Sequence, residues 1–284
     1  MLAPHRNLIH MSTGRKLEVI GSLQQSGSET FIQDRSNIYM SRELTDRQET
    51  ILKMIIERYV ADAQPVGSTT LANSDQLDVS SATVRNEMAT LEKAGFIRQP
   101  YTSAGRVPTE QAYVYYLHHF VQAKQFGADK EKLKQSLRKA KAKEEAVKDM
   151  AKTLVDLSGE MVIVALGPHW TYYTGVSNLF QKPDFRDLEH VRSISKLIDA
   201  FDEVLYELAG RVSDEPEVMI GSDNPFGEEM SSIVVHQSWS ADTGGLLGLV
   251  GPLRMDYEKN IGLIQEAKQI IENEPNTYDG GQKA

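Results

Sequence analysis

The stretch from Ser80 to Lys93, SSATVRNEMATLEK, concentrates the side chains best suited to specific recognition. Val84, Met88 and Leu91 recur at i, i+4 and i+7, the spacing of an inward helical face. At about 100° per residue the opposite face is Ala82, Asn86 and Ala89, flanked by Thr83, Arg85 and Thr90. Alanines let a helix axis approach base edges, asparagine can pair bidentately with adenine, and arginine can take guanine or a phosphate. The chemistry on offer is hydrogen bonding in a DNA groove. Groups suited to catalysis are scattered and isolated. Asp223-Asn224-Pro225 reads as a turn, His236 as a structural strand histidine, and Arg254 as a ligand for loop carbonyls or a carboxylate. His118 and His119 point about 100° apart on a helix with no carboxylate at i+4, which argues against a metal site. The chain contains no phosphate loop, GxSxG or HExxH sequence. No catalytic residue, metal site or cofactor is expected, and the chain is not read as an enzyme.

The elements around this helix have a recognisable order. A first helix opens at Thr45, with Gln48 completing a capping box, and buries Ile51, Leu52, Ile55, Ile56 and Tyr59. Gln64-Pro65-Val66-Gly67 ends it, because proline disfavours helical geometry at the residue before it. A short second helix runs from Ser68 to about Ser74, with Leu71 and Ala72 inward and Asp75 to Val79 as the turn. Ser80 or Ser81 caps the third helix, and Gly95 stops it. A strand, Phe96 to Gln99, then leads into a loop from Pro100 to Pro108. Three short helices followed by a hairpin make a winged helix-turn-helix. The residues predicted to touch DNA are Ser81, Ala82, Thr83, Arg85 and Asn86 on the third helix, Ser68 and Thr69 at the second helix N-terminus, and Thr102, Ser103 and Arg106 in the wing.

The same residues carry a family resemblance. PVGS (Pro65 to Ser68), SSATVRNEM (Ser80 to Met88), TSAGRVPT (Thr102 to Thr109) and Tyr113, Tyr115 and Tyr116 are followed by GVSNL (Gly175 to Leu179), PDF (Pro183 to Phe185) and LVGPLRMDY (Leu249 to Tyr257). Together these resemble the heat-inducible transcription repressor HrcA family. The resemblance implies a homodimeric repressor on an inverted-repeat operator upstream of chaperone genes, tuned by the GroEL chaperonin. Tyr101 stands where the family commonly has histidine, and Gln111-Ala112 where it commonly has a basic residue and glycine. Between about Pro168 and Tyr173 the family carries a long segment with several strands of a GAF-like domain and an inserted dimerisation domain. Neither is present here.

Composition sets the bounds. At 284 residues two domains are expected. The formal charge is −9 and the pI near 5.4. Residues 40 to 120 hold eight Lys plus Arg against ten Asp plus Glu. That argues against an unspecific polyanion binder and is compatible with a sequence-specific dimer whose few arginines cluster on one surface. The chain has no cysteine, no apolar run long enough to span a bilayer and no apolar core of a signal peptide. These features predict a soluble cytoplasmic protein.

The expected fold class is α+β, largely helical. Residues 1–39 read as a poorly ordered extension, with translation beginning at Met40 as one reading, and 40–123 as the winged helix-turn-helix. Residues 124–158 read as a long charged linking helix. Its seam, Leu133, Leu137, Ala140, Val147, Ala151 and Leu154, is interrupted by Glu144, and either pairs with a twofold mate or packs on its own chain. Residues 159–273 read as a reduced GAF-like α+β domain with helices on one face of a sheet. Its strands are expected at Glu160 to Leu166, Val218 to Gly221, Ser232 to Gln237 and Gly245 to Val250. Its helices are expected at Asp187 to Ala209 and Asp256 to Asn273, and 274–284 reads as a polar tail. Two other functions fit the sequence: a ligand-sensing regulator that uses the GAF-like part, and a protein-interaction module that has lost DNA binding.

Overall fold

A computed structural model describes residues 8–11, 17–20, 44–124, 127–140, 142–167, 170–185, 194–195, 198, 201–239 and 245–273. The head begins with α1 (Asp46–Asp62), capped by Thr45 in a complete capping box with Gln48. It continues through α2 (Ser68–Ala72), α3 (Ser81–Lys93) and the two-residue strands β3 (Ile97–Arg98) and β4 (Val107–Pro108), and closes with α4 (Glu110–His119). Ala63 ends α1 in the left-handed conformation, at φ 53°, one residue ahead of the expected Gln64-Pro65 stop. Phe96, Tyr113, Tyr115, Tyr116 and Leu117 join the α1 face and the α3 stripe in one buried cluster.

The linking segment departs from the expected single helix. It forms α5 (Gly127–Lys139) and α6 (Lys143–Ser158), which break between them and pack against each other. The physical reason lies in the seam itself. Leu133, Leu137, Val147, Met150, Ala151 and Leu154 are all buried within this chain, and folding back covers both halves at once. Of the two readings of the seam, the structure shows packing on its own chain.

Among the described residues the sheet has seven strands, paired antiparallel in the order β2 (Leu17–Ile20), β1 (Leu8–Met11), β7 (Glu217–Ile220), β8 (Met230–His236), β9 (Gly245–Pro252), β5 (Met161–Leu166) and β6 (Trp170–Thr174). Five follow the helical hairpin: β5 (Met161–Leu166), β6 (Trp170–Thr174), β7 (Glu217–Ile220), β8 (Met230–His236) and β9 (Gly245–Pro252). The other two, β1 (Leu8–Met11) and β2 (Leu17–Ile20), come from the extension expected to be poorly ordered. They pair as Ile9↔Val19, and β1 adds to β7 through Ile9↔Val218. An otherwise open strand edge, contributed by residues some two hundred positions away, supplies the hydrogen bonds that four-residue runs cannot supply alone. The remainder of 1–43 lies outside the described residues, as does the 274–284 tail.

Helices cover both faces of the sheet, not one. Val162, Val164, Ile233, Val235, Leu247 and Leu249 pack toward α6, the head and α9 (Tyr257–Asn273). Met161, Ile163, Val234, Leu246 and Val250 pack toward α7 (Val176–Gln181) and α8 (Phe201–Ala209), meeting Leu179, Phe201, Leu205 and Leu208. Strands buried on both sides read as unbroken apolar runs, which is what MVIVAL and GLLGLV are. Residues 187–193, 196–197 and 199–200 of the expected Asp187 to Ala209 helix lie outside the described residues. The β5–β6 pairing runs antiparallel from Val162↔Thr174 to Leu166↔Trp170.

Head and sheet domain share one buried cluster, and Arg254 fastens them. Its Nε donates to both oxygens of Asp184, at 3.0 and 2.8 Å, and its Nη1 to the Val60 carbonyl at 3.2 Å in the last turn of α1. A basic group is favourable at a helix C-terminus, where carbonyls lack partners. Tyr113 packs against Tyr257, Lys124 pairs with Glu258 at 3.0 Å, and Glu110 accepts from the Ser222 N–H and hydroxyl. With the Arg254 side chain only 9% exposed, Arg254→Ala leaves Asp184 unpaired; the expected cost is about 3 kcal/mol, read as a lowered denaturant midpoint.

Glu160 is buried just behind this clamp, 2.8 Å from Lys182 Nζ. Burial pushes its carboxyl up to about 7, against the pull of Lys182 and, more weakly, Arg254. The folded protein therefore holds this proton more tightly than the unfolded chain, and Glu160 lowers stability as pH rises from the ordinary carboxylate range through about 7. Thermal melts across that window should show a smaller fall in Tm for Glu160→Gln than for the parent protein.

Candidate nucleic-acid interface

Helix α3 is placed by its caps and its buried stripe, and two ion pairs engage its acids. The Ser80 hydroxyl accepts from Thr83 N at 3.2 Å, so Ser80 is the cap. At the other end Gly95 N donates to Glu92 O and Phe96 N to Leu91 O, a Schellman closure with Gly95 at φ 89°. Val84, Met88 and Leu91 are buried, which rotates the rest of the helix outward. Glu87 is turned back to α1, where Arg47 Nε donates at 2.8 Å and Gln48 Nε2 at 3.0 Å. The Gln48 hydrogen bond, then Arg47, holds this carboxyl below its ordinary range. Glu92 is ion-paired with Arg106 at 2.9 Å.

The exposed residues of α3 are Ala82, Arg85, Asn86, Ala89, Thr90 and Lys93. They include two cations and no acid, although the protein as a whole is acidic. Both carboxylates of the helix are engaged by arginines, so the outward face shows neutral donors and acceptors with positive charge. Ser81 is half-buried, and its Oγ lies 3.3 Å from Ser68 Oγ and 3.4 Å from Thr69 Oγ1. The structure thus gathers Ser68, Thr69 and Ser81 where the N-termini of α2 and α3 meet, beside Ala82 and Thr83.

The wing is anchored to the head at its base. Val66 and Arg106 exchange both backbone hydrogen bonds at 2.9 Å, drawing the wing onto the α1 to α2 linker. Gly105 sits so close to that linker that a Cβ would lie 2.5 Å from the Val66 carbonyl carbon and oxygen. At the tip, Ala104 N donates to Tyr101 O at 3.0 Å with Ser103 at φ 68°, and Gln99 Nε2 braces the Ala104 carbonyl at 3.0 Å. Thr102 and Ser103 are exposed as expected. Arg106 differs from the expectation of an outward wing cation. Its side chain is 22% exposed and held by Glu92, with Nη1 also directed at the Ala104 and Gly105 carbonyls. Sequence reasoning also missed the pairing of Arg47 and Gln48 with Glu87 and of Glu92 with Arg106, which join positions too far apart for any local pattern to show.

The family model for the winged helix-turn-helix transcription repressor HrcA DNA-binding domain matches residues 43–119, and that for the HrcA protein C-terminal domain matches residues 94–261. The chain belongs to the HrcA family. Among curated relatives, the heat-inducible transcription repressor HrcA of Halalkalibacterium halodurans is 23% identical, over 80% of this chain and 96% of its own length. That of Natranaerobius thermophilus is 33% identical, over 79% of this chain and 63% of its own. The first alignment runs over 333 positions, more than this whole chain contains, so a long stretch of that HrcA has no counterpart here. In fold, a solved crystal structure of a hypothetical protein matches with a TM-score of 0.62 at 18% identity, covering 80% of this chain and 96% of that one. HrcA domains are regulatory and DNA-binding, and the chain is not an enzyme. Among the described residues no helix is long and apolar enough to cross a membrane.

Because Gly105 meets backbone instead of a movable side chain, Gly105→Ala must displace the wing from Val66. A loss of roughly 1–3 kcal/mol is expected in chemical denaturation, with the far-ultraviolet spectrum unchanged.

Proposed function

We propose that this HrcA family member represses heat-shock chaperone genes by occupying an inverted-repeat operator as a homodimer, with the GroEL chaperonin tuning its activity. The observation that carries the DNA-reading part is the outward face of α3. An acidic chain has cleared that face of unpaired carboxylates and left Ala82, Arg85, Asn86 and Ala89 exposed. Short side chains admit the helix to a major groove about 12 Å wide, where Asn86 meets an adenine edge and Arg85 a guanine edge or a phosphate. Ser68, Thr69, Ser81 and Thr83 then place hydroxyl donors along the flanking phosphates, fixing register without reading sequence. The heat-shock targets are supported by relatives named heat-inducible repressors, and the operator symmetry and the chaperonin are what the resemblance of the sequence motifs to that family implies.

In this reading the sheet domain holds the head and is the part on which a chaperonin would act. Its two faces are filled by the side chains of the helices that cover them, which favours a structural role over a ligand-sensing one. The test is footprinting of the purified protein on DNA upstream of its own organism's chaperone genes. Protection centred on an inverted repeat is expected, and no protection at any upstream repeat would overturn the proposal. On the protected duplex, Asn86→Ala should cost on the order of 1–3 kcal/mol while leaving affinity for random DNA nearly unchanged. Equal losses on both would remove Asn86 from base reading.

A further inference from the structure

We propose that the wing reads DNA through Tyr101, by neutral contact in a minor groove, and that Arg106 belongs to the protein and not to a phosphate. This inference rests on the DNA-binding reading of α3 and specifies what the other half of the interface does.

Three observations carry it. First, Tyr101 is 66% exposed, the most exposed large apolar side chain among the described residues. Burial is the ordinary outcome for an aromatic ring, and the other tyrosines of the head, Tyr59, Tyr113, Tyr115 and Tyr116, are buried or half-buried. Secondly, the ring is carried on a stiff support. The Tyr101 carbonyl accepts from Ala104 N, Gln99 grips the Ala104 carbonyl, and Gly105 abuts the Val66 backbone. Ser103 adopts a left-handed conformation at φ 68°, the φ > 0 position of a type II turn, which a non-glycine residue occupies at some cost. Such a tip loses little further freedom on binding. Thirdly, the cation of the wing loop is committed. Glu92 holds Arg106 at 2.9 Å with the side chain only 22% exposed, so leaving for a phosphate would abandon a carboxylate on the helix that enters the groove.

What remains at the tip is Tyr101, Thr102 and Ser103: three hydroxyls, one ring and no charge. The minor groove is about 6 Å wide, and at A·T pairs its floor presents only acceptors, adenine N3 and thymine O2. Hydroxyl donors match that floor, and the flat face of a ring can lie along the sugars of the wall. A guanine amino group projecting from the floor would obstruct both. The wing therefore adds a preference for A·T pairs flanking the segment read by α3.

The test uses the full-length protein and a duplex it enriches from a random-sequence pool. Affinity is measured across a salt series, alongside hydroxyl-radical footprints, which report the sugars of the minor groove. Tyr101→Ala is expected to weaken binding about tenfold, with the slope of log K against log salt unchanged, and to lose protection of the flanking sugars while keeping that of the central segment. Tyr101→Phe should retain the flanking protection with a smaller loss of affinity. Arg106→Ala should leave the salt slope as it is, against the fall of about 0.9 that a lost phosphate contact would give. Matching melting temperatures check that the variants fold. Flanking protection and affinity that survive Tyr101→Ala would overturn the inference while leaving the DNA-binding reading intact, and so would a slope that drops with Arg106→Ala. A pool that yields no enriched duplex overturns the DNA-binding reading and this inference with it.

Discussion

Everything at the interface depends on the burial of Val84, Met88 and Leu91. These three side chains, none more than 5% exposed, fix the rotation of α3 about its axis, and that rotation alone decides which residues a groove would meet. Burying each is worth roughly 1.5–3 kcal/mol, enough together to outweigh any single polar contact on the opposite face. The ion pairs act within this frame. Arg47 and Arg106 do not hold the helix in place so much as neutralise the two acids that a short amphipathic helix carries at its margins. A pI near 5.4 is then compatible with a face that tolerates a polyanion, because charge is arranged locally and composition reports only the sum.

The head was legible in the sequence because its signals are short-range. The capping box at Thr45, the i, i+4, i+7 stripe of α3 and Gly95 as a helix stop each involve residues a few positions apart, and each is found in place. The outward residues of α3 follow from the same periodicity. What escaped were interactions with no periodic signature. Glu87 meets Arg47 across 40 positions, and Arg106 finds Glu92 only because the wing is drawn to Val66. Arg106 looked like a free wing cation for the reason that its partner is a product of the fold.

In the sheet domain the strands from Met161 onward were legible as apolar runs, and β6 was not, since Trp170 to Thr174 mixes aromatic and hydroxyl residues without a clear alternation. The long linking helix was misread because a heptad-like seam has the same spacing whether it faces a second molecule or its own continuation. The break between α5 and α6 falls among Ala140 and its neighbours, with no proline or glycine to mark it. The strands β1 and β2 belong to a third kind of miss. Their runs are too short to stand alone, and they acquire partners only when β7 offers an edge.

The shared core between head and sheet domain, with Arg254 reaching from one into the last turn of the other, has a thermodynamic corollary. Two modules joined by a flexible tether melt separately, whereas two joined through a continuous apolar interior lose it together and tend toward a single cooperative transition. Warming that loosens the β-sheet strips cover from Tyr113 and withdraws the guanidinium from the Val60 carbonyl, so α3 loses its scaffold in the same event. In such a molecule the stability of the larger half sets how long the smaller half keeps its shape.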